Sequence, residues 1–309
     1  MNKIAYKFFF ILWYAFSLLP LPILYLVADI IYYPTYYLVR YRRKVVRQNL
    51  TTSFPKKDLK EIVRIEKRFY KYLCDNLVET IKLMSISKAE IRKRMVFENA
   101  DIINEHFNNG KSCAMCLGHY ANWEWLSSIA LWTNDKGVCS QIYHPLENSV
   151  SDALFLKMRE RFGSVCVTMD DTYRTILSWK RDRVPHSVGY ISDQTPSYNI
   201  HYWTDFLNHD TPVYTGAEKI SRVTDASVYY VDVKRVKRGY YTARFIEITT
   251  DIKKEPIFSV TERYFRLLES SIKETPHLWL WTHNRWKRTR EVFNSIHSEE
   301  ERARLLSRL

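Results

Sequence analysis

The chain has 309 residues, of which 46% are hydrophobic and 15% aromatic, and it contains only 7 glycines. This composition excludes an intrinsically disordered chain and supplies enough apolar side chains for a sizeable core. The formal charge of +13 at pH 7 leaves open nucleic acid, anionic lipid headgroups or an acidic carrier protein as partners, and also a merely solvated basic surface.

The amino-terminal region has the composition of a membrane segment. Residues 8–28, FFFILWYAFSLLPLPILYLVA, carry no charge, and about 20 apolar residues suffice to span a bilayer as a helix. A cleaved signal peptide is disfavoured because no small-x-small site follows and apolar residues resume in IIYYPTYYLV. Pro20, Pro22 and Pro34 would bend or break a helix. A bent span, a shallow helical hairpin and an unusually apolar buried helix therefore all stay open.

A basic cluster, RYRRKVVRQ at residues 40–48, follows the apolar segment, whereas only Lys3 and Lys7 precede it. The positive-inside rule therefore places the bulk of the chain in the cytoplasm. The same cluster could bind anionic lipid headgroups. We predict a membrane anchor with a basic juxtamembrane segment over residues 1–45, and a single domain over residues 46–309.

The body of the chain alternates between helical and extended patterns. Apolar residues recur at helical spacing within residues 56–84, which predicts a long amphipathic helix. A short helix is expected near residues 100–107. Strands are then predicted at 112–117, 137–143, 164–168 and 186–192, with helices at 121–132, 149–163 and 170–181 between them. This alternation predicts an α/β sandwich with several parallel strands.

The carboxyl-terminal third predicts a hairpin followed by helices. Residues 226–236 and 240–249 have strand patterns and flank Arg238-Gly239, which predicts a turn between them. Residues 259–273 and the charged tail 298–309 predict two further helices, the second on the surface. No linker divides residues 50–309 into two domains.

The five cysteines form an odd, scattered set, which is typical of reduced thiols in the cytoplasm. Cys113 and Cys116 form a C-x-x-C pair without a second pair, and residues three apart on a strand point to opposite faces. We therefore predict core cysteines. Because no P-loop, zinc cluster or dinucleotide fingerprint is present, we expect neither a metal nor a cofactor.

The segment GHYANWE at 118–124 places a histidine and a glutamate where a predicted strand ends and a helix begins. Of the nine histidines, only His119 is followed by an acidic residue five positions later. Ligands of α/β sheets bind beyond the carboxyl ends of strands. A bend before the helix would let His119 and Glu124 meet, so that the carboxylate orients a general base. A structural histidine followed by a helix-start glutamate stays open as the alternative.

GHYANWE also resembles the G-H-x-x-x-x-E block of the late acyltransferases of lipid A biosynthesis, the lauroyl and myristoyl transferases of the glycerolipid acyltransferase superfamily. Other segments are similar to blocks of that family, in the same order: YRRKVVRQNLTTSFP, FYKYLCDNLVE, YHPLENSVSDALFLKMRERFG, GYISDQTP, TPVYTGAEKISRVTDASV and HLWLWTHNRWKRTR. Each block alone is weak, but their order and spacing over nearly the whole chain are specific. The resemblance implies a mixed sheet flanked by helices, with an amino-terminal membrane helix.

The resemblance also implies roles for individual residues. His119 would be the general base and Glu124 its orienting carboxylate. Arg159 would stabilise an oxyanion or bind an anionic group, although a helix-surface salt bridge is the simpler interpretation from the residues alone. Asp193 would support the site, where the simpler interpretation is a turn residue after a strand.

Four further residues are expected to bind substrate: Asn122, Gln194, Arg285 and Lys287. The basic clusters Arg40–Arg47, Lys234–Arg238 and Arg285–Arg290 are expected to bind the acidic carrier protein and the phosphates of the acceptor, unless they are simply solvated. The chain departs from the family at His144, at Thr195-Pro196 and at Asn284, which leaves the details of the substrate open.

The predicted function is acyl transfer from acyl carrier protein to a hydroxyl of a lipid A precursor, at the cytoplasmic side of the inner membrane. Two alternatives stay open: an acyltransferase for another lipid, such as a lysophospholipid or an amino-acid lipid, and a catalytically silent protein that binds the membrane surface. A nucleic-acid partner is disfavoured because the apolar front has no role in it.

Overall fold

A computed structural model describes residues 3–307 of the chain. A seven-stranded mixed sheet forms the centre, and helices pack on both of its faces. The strands of this sheet and of a separate two-stranded hairpin are β1 Met95–Phe97, β2 Cys113–Leu117, β3 Val138–Tyr143, β4 Val165–Thr168, β5 His186–Ile191, β6 Tyr202–Phe206, β7 His209–Val213, β8 Ser227–Lys237 and β9 Tyr240–Thr249.

Twelve α-helices are present in the described part of the chain. They are α1 Lys3–Leu18, α2 Leu21–Tyr33, α3 Arg43–Ser53, α4 Leu59–Leu83, α5 Lys88–Arg94, α6 Asp101–Asn108, α7 Ser149–Arg159, α8 Thr172–Arg181, α9 Gly216–Thr224, α10 Ser259–Glu274, α11 Arg290–Ile296 and α12 Glu299–Leu306. A π-helical turn, Pro34–Leu38, follows α2, and short 3-10 helices lie at Trp125–Leu131, Ile252–Lys254 and Pro276–Leu278.

The sheet confirms the predicted α/β architecture. Its strand order is β1-β9-β8-β2-β5-β3-β4, and the small hairpin β6-β7 is separate. Strand β2 pairs in parallel with β5 and β8, and β3 pairs in parallel with β4 and β5. The predicted hairpin around Arg238-Gly239 is the antiparallel pair β8-β9. The helix predicted at residues 298–309 is α12. Residues 308 and 309 of the predicted segment lie outside the described part of the chain.

The register of β2 on β5 determines where the functional loops meet. Leu117 lies opposite Ile191, the last paired residues of the two strands. Because the strands are parallel, the residues that follow both emerge at the same edge of the sheet. Both strands are largely buried, and Cys113 and Cys116 lie in the core as predicted.

The helix predicted at residues 121–132 is wrong in its first half. Residues 119–124 form an irregular loop, and a 3-10 helix begins at Trp125. Ala121 has a φ of 50°, which a helix does not allow. The Asn122 side chain accepts a hydrogen bond from the Trp125 amide, and the Ser127 hydroxyl donates to the carbonyl three residues before it. These local bonds compete with a regular α-helix.

The amino-terminal segment consists of two helices that meet at a sharp bend. Among the described residues, no single helix is both long and apolar enough to cross a membrane. The pair Lys3–Leu18 and Leu21–Leu38 meets the requirement together by length and composition, but it is bent by 107°. An amino-terminal membrane helix therefore stays a prediction.

One side of the bent pair packs onto α4. Leu24, Ala28 and Tyr32 are buried in the main core. The Tyr25 hydroxyl donates to Glu79 at 2.8 Å, and the Tyr36 hydroxyl donates to Glu66 at 2.8 Å. These contacts attach the front helices to the body along their length.

The opposite side of the bent pair is apolar and exposed. It presents Ile4, Phe8, Phe9, Ile11, Leu12, Phe16, Leu18, Ile23, Leu26, Ile30, Tyr33 and Leu38. Monomeric soluble proteins rarely expose a contiguous apolar surface of this kind, and such a surface typically marks an interaction with a membrane or a partner. We call it the apolar face.

The turn between β8 and β9 offers a test of how α2 is held. Gly239 has a φ of 72°, and a Cβ there would collide with the Tyr25 hydroxyl of α2. Gly110 has a φ of 65° but no neighbour within 4 Å of its would-be Cβ. We expect Gly110→Ala to cost about 1–2 kcal/mol for the left-handed backbone alone. Gly239→Ala should cost about 1–3 kcal/mol more, because it also displaces the Tyr25–Glu79 hydrogen bond.

Denaturant unfolding in detergent measures the free energy of unfolding of both variants. Equal losses in the two variants would show that Tyr25 does not hold α2 against the hairpin.

Candidate active site

The structure brings His119 and Asp193 together at the carboxyl edge of the sheet. His119 lies two residues beyond the end of β2, and Asp193 lies two residues beyond the end of the adjacent β5. The His119 Nδ1 is 2.7 Å from one oxygen of Asp193, and the His119 backbone amide donates to the other oxygen at 2.8 Å. The carboxylate therefore fixes both the ring and the backbone of His119.

A third donor completes the surroundings of Asp193. The indole N–H of Trp279 donates to the Asp193 carboxylate at 2.7 Å. Burial acts to raise the pKa of Asp193, but the charge of His119 and the hydrogen bonds from His119 and Trp279 outweigh it and hold the pKa below its ordinary value. Asp193 is therefore a carboxylate at neutral pH, although only 1% of its surface is exposed.

This pairing defines the tautomer of His119. A carboxylate has only acceptor atoms, so Nδ1 carries the proton that it donates to Asp193. The Nε2 lone pair then points toward the neighbouring cavity, where the side-chain amide of Gln194 lies 3.3 Å away. A neutral imidazole in this state can accept a proton at Nε2, and the carboxylate stabilises the cation that forms. Gln194 is thus placed at the site, as expected.

The expected contact between Glu124 and His119 does not form. Glu124 instead accepts two hydrogen bonds from the Arg159 guanidinium, at 2.8 Å and 2.6 Å. The Trp123 ring lies against His119, with ring centroids 5.3 Å apart. With Ala121 in the left-handed region, the irregular loop directs Glu124 to Arg159 rather than to His119. The prediction that Glu124 orients His119 is therefore wrong in geometry, and Asp193 holds that position.

The Glu124–Arg159 pair is bidentate and largely shielded. The Glu124 side chain is 8% exposed and that of Arg159 is 20% exposed. Burial acts to lower the pKa of Arg159, but the hydrogen bonds and the charge of Glu124 raise it above its ordinary value. Arg159 is not on a free helix surface, since both residues line the same cavity as His119. Its Nε and Nη2 are bound to Glu124, so the remaining guanidinium N–H groups are the ones available to a ligand.

Asn122 is not placed to bind substrate. Its side chain is fully buried, donates to Glu79 at 2.7 Å and accepts from the Trp125 amide at 3.1 Å. Glu79, also fully buried, accepts further bonds from the hydroxyls of Tyr25 and Tyr241. The prediction that Asn122 binds substrate is therefore wrong. Its side chain instead holds the loop between His119 and Glu124 in place.

Arg285 is likewise buried, which corrects its expected place in a surface cluster. It is 0% exposed and donates to the Pro212 carbonyl at 2.7 Å. Burial lowers the pKa of Arg285 to about 10, so the side chain remains charged at neutral pH. Lys287 is exposed. Arg290 forms an ion pair with Asp210 and Arg288 donates to the Pro196 carbonyl, so little of this cluster is a free basic surface.

The two other basic clusters differ in their availability. In the first, Arg43 and Arg47 pair with the buried Glu66 of α4, while Arg40 and Lys44 are exposed. The second, Lys234–Arg238, lines a separate cavity. The clusters are therefore partly structural and partly open to an anionic ligand.

A cavity of about 500 Å³ lies in front of the Nε2 atom of His119. The polar groups on its wall include His119, Gln194, Glu124 and Arg159. The rest of the wall is mainly apolar or aromatic and includes Trp123, Ile142, Tyr143, Leu146, Met169, Tyr190, Ile191, Tyr214 and Ile220. A pocket with an apolar wall and a few convergent polar groups is typical of a small-ligand site. We call it the catalytic cavity.

A smaller apolar cavity of about 60 Å³ adjoins the catalytic cavity. The two share Trp123, Gln141 and Ile191 on their walls. The smaller one reaches Met115 and Phe245 in the core. The apolar wall therefore extends from the catalytic cavity into the interior of the protein.

Sequence reasoning assigned no function to Trp279, which lies in the carboxyl-terminal loop that closes the site. The Ala121 amide donates to the Leu278 carbonyl, and the Leu280 amide donates to the His119 carbonyl, each at 3.0 Å. This pairing brings Trp279 onto Asp193. The segment HLWLWTHNRW was visible as a block, but nothing in its spacing predicts which indole meets which carboxylate.

Close packing around residue 118 explains why a glycine occupies this position. A Cβ at this position would lie 2.7 Å from a methyl group of Leu268 in α10 and 3.2 Å from an oxygen of Asp193. Glycine therefore lets α10 and Asp193 approach the end of β2 closely.

The comparison with known families gives a match over most of the chain. A model described as bacterial lipid A biosynthesis acyltransferase matches residues 2–288. The chain belongs to this family, and it is therefore an acyltransferase of lipid A biosynthesis. A search of curated proteins finds no match to the chain.

The identity of the orienting carboxylate can be tested through the tautomer of His119. We expect nitrogen-15 NMR of histidine-labelled protein to show His119 protonated on Nδ1. Asp193→Asn should lower that population, because an amide can offer its N–H to the ring and thereby favour the other tautomer. Glu124→Gln should leave the tautomer unchanged. A shift in Glu124→Gln, with none in Asp193→Asn, would contradict the assignment.

Proposed function

We propose that the chain transfers an acyl group from acyl carrier protein to a hydroxyl of a lipid A precursor, with His119 and Asp193 as the acid–base pair. One observation carries the proposal: the Nδ1 of His119 is held by a buried carboxylate while its Nε2 faces a cavity with an apolar wall. A positioned base beside an apolar groove is what acyl transfer to an alcohol requires.

The proposed reaction is a direct transfer. The Nε2 atom of His119 takes the proton from the acceptor hydroxyl, and the alkoxide oxygen attacks the thioester carbonyl carbon. The carbon–sulfur bond of the tetrahedral intermediate breaks, and the thiolate takes the proton from the imidazolium. An ester and a thiol result, and His119 returns to its neutral state. Asp193 stabilises the imidazolium throughout.

Arg159 is the group that we assign to the developing negative charge. It lines the catalytic cavity and is held rigid by Glu124 through two hydrogen bonds. A fixed cation costs no reorganisation when the oxyanion forms. Glu124 thus acts through Arg159 as a positioning residue, which replaces the predicted pairing of Glu124 with His119.

The acyl chain would lie along the aromatic and aliphatic wall of the catalytic cavity. The smaller cavity behind Trp123 gives this wall an apolar continuation toward Met115. A saturated chain gains about 0.8 kcal/mol for each buried methylene group, so such a wall favours a fatty acyl donor over a short one.

Transfer of a radiolabelled acyl group from acyl carrier protein by the purified full-length protein tests the reaction. We expect His119→Ala to lower the rate of transfer by about 10²–10⁴-fold, the range that a general base contributes. Arg159→Met should also lower kcat. His297→Gln serves as the control, since His297 lies near the Tyr198 carbonyl and outside the cavity. Normal transfer by His119→Ala would refute the mechanism.

The acceptor is tested separately with a deletion strain of the source bacterium. Loss of an acyl chain from lipid A, measured by mass spectrometry, supports the proposed acceptor. A changed phospholipid or amino-acid lipid pool with intact lipid A would instead support the alternative acceptor. Absence of any acyl transfer from the labelled carrier would contradict acyl carrier protein as the donor.

We further propose that the protein docks on the cytoplasmic leaflet of the inner membrane through its apolar face, without crossing the bilayer. A helix of 16 residues such as α1 is about 24 Å long, shorter than the roughly 30 Å hydrocarbon core. The inner side of the pair is bonded to α4, which carries charged residues such as Arg64, Lys67 and Lys71. A spanning arrangement would draw these charges into the hydrocarbon or break the Tyr25 and Tyr36 hydrogen bonds.

Depth-dependent quenching tests this docking. Fluorophores at Phe8, Leu12 and Leu26, three exposed positions of the apolar face, should all report a similar shallow depth with spin-labelled lipids. The triple variant Phe8→Ser/Phe9→Ser/Leu12→Ser should bind vesicles more weakly, because it removes buried apolar area. Ser substitutions at Val223 and Ile257, which are exposed elsewhere, are the control. Depths that pass through the bilayer midplane would contradict in-plane docking.

A further inference from the structure

A second cavity, of about 650 Å³, lies apart from the catalytic cavity and shares no lining residue with it. Its wall comes from α4, from the end of β8, from the turn that contains His277 and from Asp29 of α2. Tyr120 lines this second cavity, whereas His119 lines the catalytic one. The two cavities therefore flank the same strand end. We call the second one the basic cavity.

The wall of the basic cavity carries more cations than carboxylates. Its six basic side chains are Arg68, Lys71, Lys234, Arg235, Lys237 and Arg238, and its four acidic ones are Asp29, Asp75, Asp232 and Glu274. The difference, six minus four, leaves a formal charge of +2 on the wall. Arg238 is saturated by Asp29 and Asp75, and Lys234 is paired with Glu274.

Three of the cations have no carboxylate partner among the described residues. The Arg68 guanidinium lies 3.5 Å from the Nε2 atom of His277, while Lys71 and Lys237 lie over the rings of Tyr32 and Tyr240. All three side chains are exposed at the mouth of the cavity. They are free to bind an anion.

Arg235 supplies a fourth donor, deeper in the wall. Its Nη2 donates to the buried Asp75 at 2.6 Å. Its Nε is buried and has no hydrogen-bond partner among the described residues. Asp75 thus fixes the Arg235 guanidinium, while the Nε–H of that guanidinium donates to no other group among the described residues. An unpaired donor is unusual for a buried polar group.

Around His277, on the wall of the basic cavity, the neighbouring charges are cationic. Burial first, and then the charges of Arg68 and Arg235, lower the pKa of His277 to about 4. Both charges that act on this imidazole are cationic, and His277 is neutral at physiological pH. A neutral ring leaves its Nε2 to face Arg68, so it orients that guanidinium rather than competing for an anion.

The basic cavity opens beside the apolar face. Asp29, on its wall, lies on α2 between the exposed Leu26 and Ile30, and Arg238 stacks on Tyr25 of the same helix. If the apolar face enters the hydrocarbon, the cations of the cavity lie at headgroup depth. Phosphate esters are the anions concentrated there.

We propose that the basic cavity binds the phosphate ester of a lipid headgroup, with Arg68, Lys71, Arg235 and Lys237 as the binding residues. This inference rests on the proposed membrane docking, and it assigns the ligand class of the Lys234–Arg238 cluster. A nucleic acid is disfavoured because the cavity adjoins an apolar surface. An acidic protein is disfavoured because one binding donor, Arg235, lies inside the wall, with a side chain only 16% exposed.

Vesicle binding of the full-length protein tests the proposal, with phosphatidylcholine vesicles that do or do not contain phosphatidic acid. We expect Arg68→Gln/Lys71→Gln/Lys237→Gln to lower affinity for the anionic vesicles by about tenfold or more, since each basic residue at the surface contributes to that attraction. Affinity for neutral vesicles should not change. The charge-matched control is Lys219→Gln/Lys253→Gln/Lys254→Gln, three exposed lysines outside the cavity.

A fall of the same size in both triple variants would overturn the proposal, because it would show diffuse attraction rather than a site. The charge-conserving variant Arg68→Lys/Lys71→Arg/Lys237→Arg should retain binding. Its loss, with an intact circular dichroism spectrum, would likewise argue against a phosphate site of this kind.

The source of the phosphate is separated by kinetics in neutral detergent micelles, where no bystander anionic lipid is present. A raised KM for the acceptor in the Gln triple variant, with kcat unchanged, assigns the phosphate to the acceptor lipid. An unchanged KM together with lost vesicle binding assigns it to a neighbouring anionic lipid. Failure of the wild-type protein to transfer acyl groups would refute the proposed reaction but not this site, because vesicle binding is measured without turnover.

Discussion

The candidate site depends on the parallel pairing of β2 with β5. Leu117 lies opposite Ile191, so the segments after β2 and β5 leave the sheet edge at the same level. His119 therefore meets Asp193 two residues beyond each strand. A shift of this register by one residue would turn the side chains to the other face of the sheet and remove the 2.7 Å contact. The buried strands resist such a shift, because both β2 and β5 contribute to the core.

The loop after His119 is held from both ends of the chain. The Tyr72 hydroxyl of α4 bonds the Ala121 carbonyl, and Asn122 bonds Glu79 of the same helix. The carboxyl-terminal loop supplies the Leu278 carbonyl and the Trp279 indole. Glu79 also accepts from Tyr25 of α2. One buried carboxylate therefore connects the bent helices that carry the apolar face to the loop that carries the base, and burial raises the pKa of Glu79.

Much of the fold follows from patterns in the sequence, whereas the partners within the site do not. Alternating strands and helices and the Arg238-Gly239 turn were predictable because hydrophobic periodicity and turn chemistry are local. The sequence also singled out His119, Glu124, Arg159 and Asp193 as candidates, and the structure places them close together. The pairing among them was predicted wrongly for Glu124, because a left-handed residue and side-chain bonds to the backbone replaced the start of the expected helix. The burial of Arg285 and Asn122 was equally unpredictable, since polar residue types are mostly exposed.

The separation of the two cavities has its origin in the length of β8. Residues 227–230 of this strand pair with β2, but the strand continues to Lys237, well past the end of β2 at Leu117. The extension is paired only with β9, so its basic residues project beyond the sheet edge toward α4 and α2. His119 lies on the other side of the same strand end, against β5. A lipid whose headgroup is held on one side would thus have Tyr120, which lines the basic cavity, between its phosphate and the base. This arrangement ties the proposed choice of acceptor to the distance between phosphate and hydroxyl.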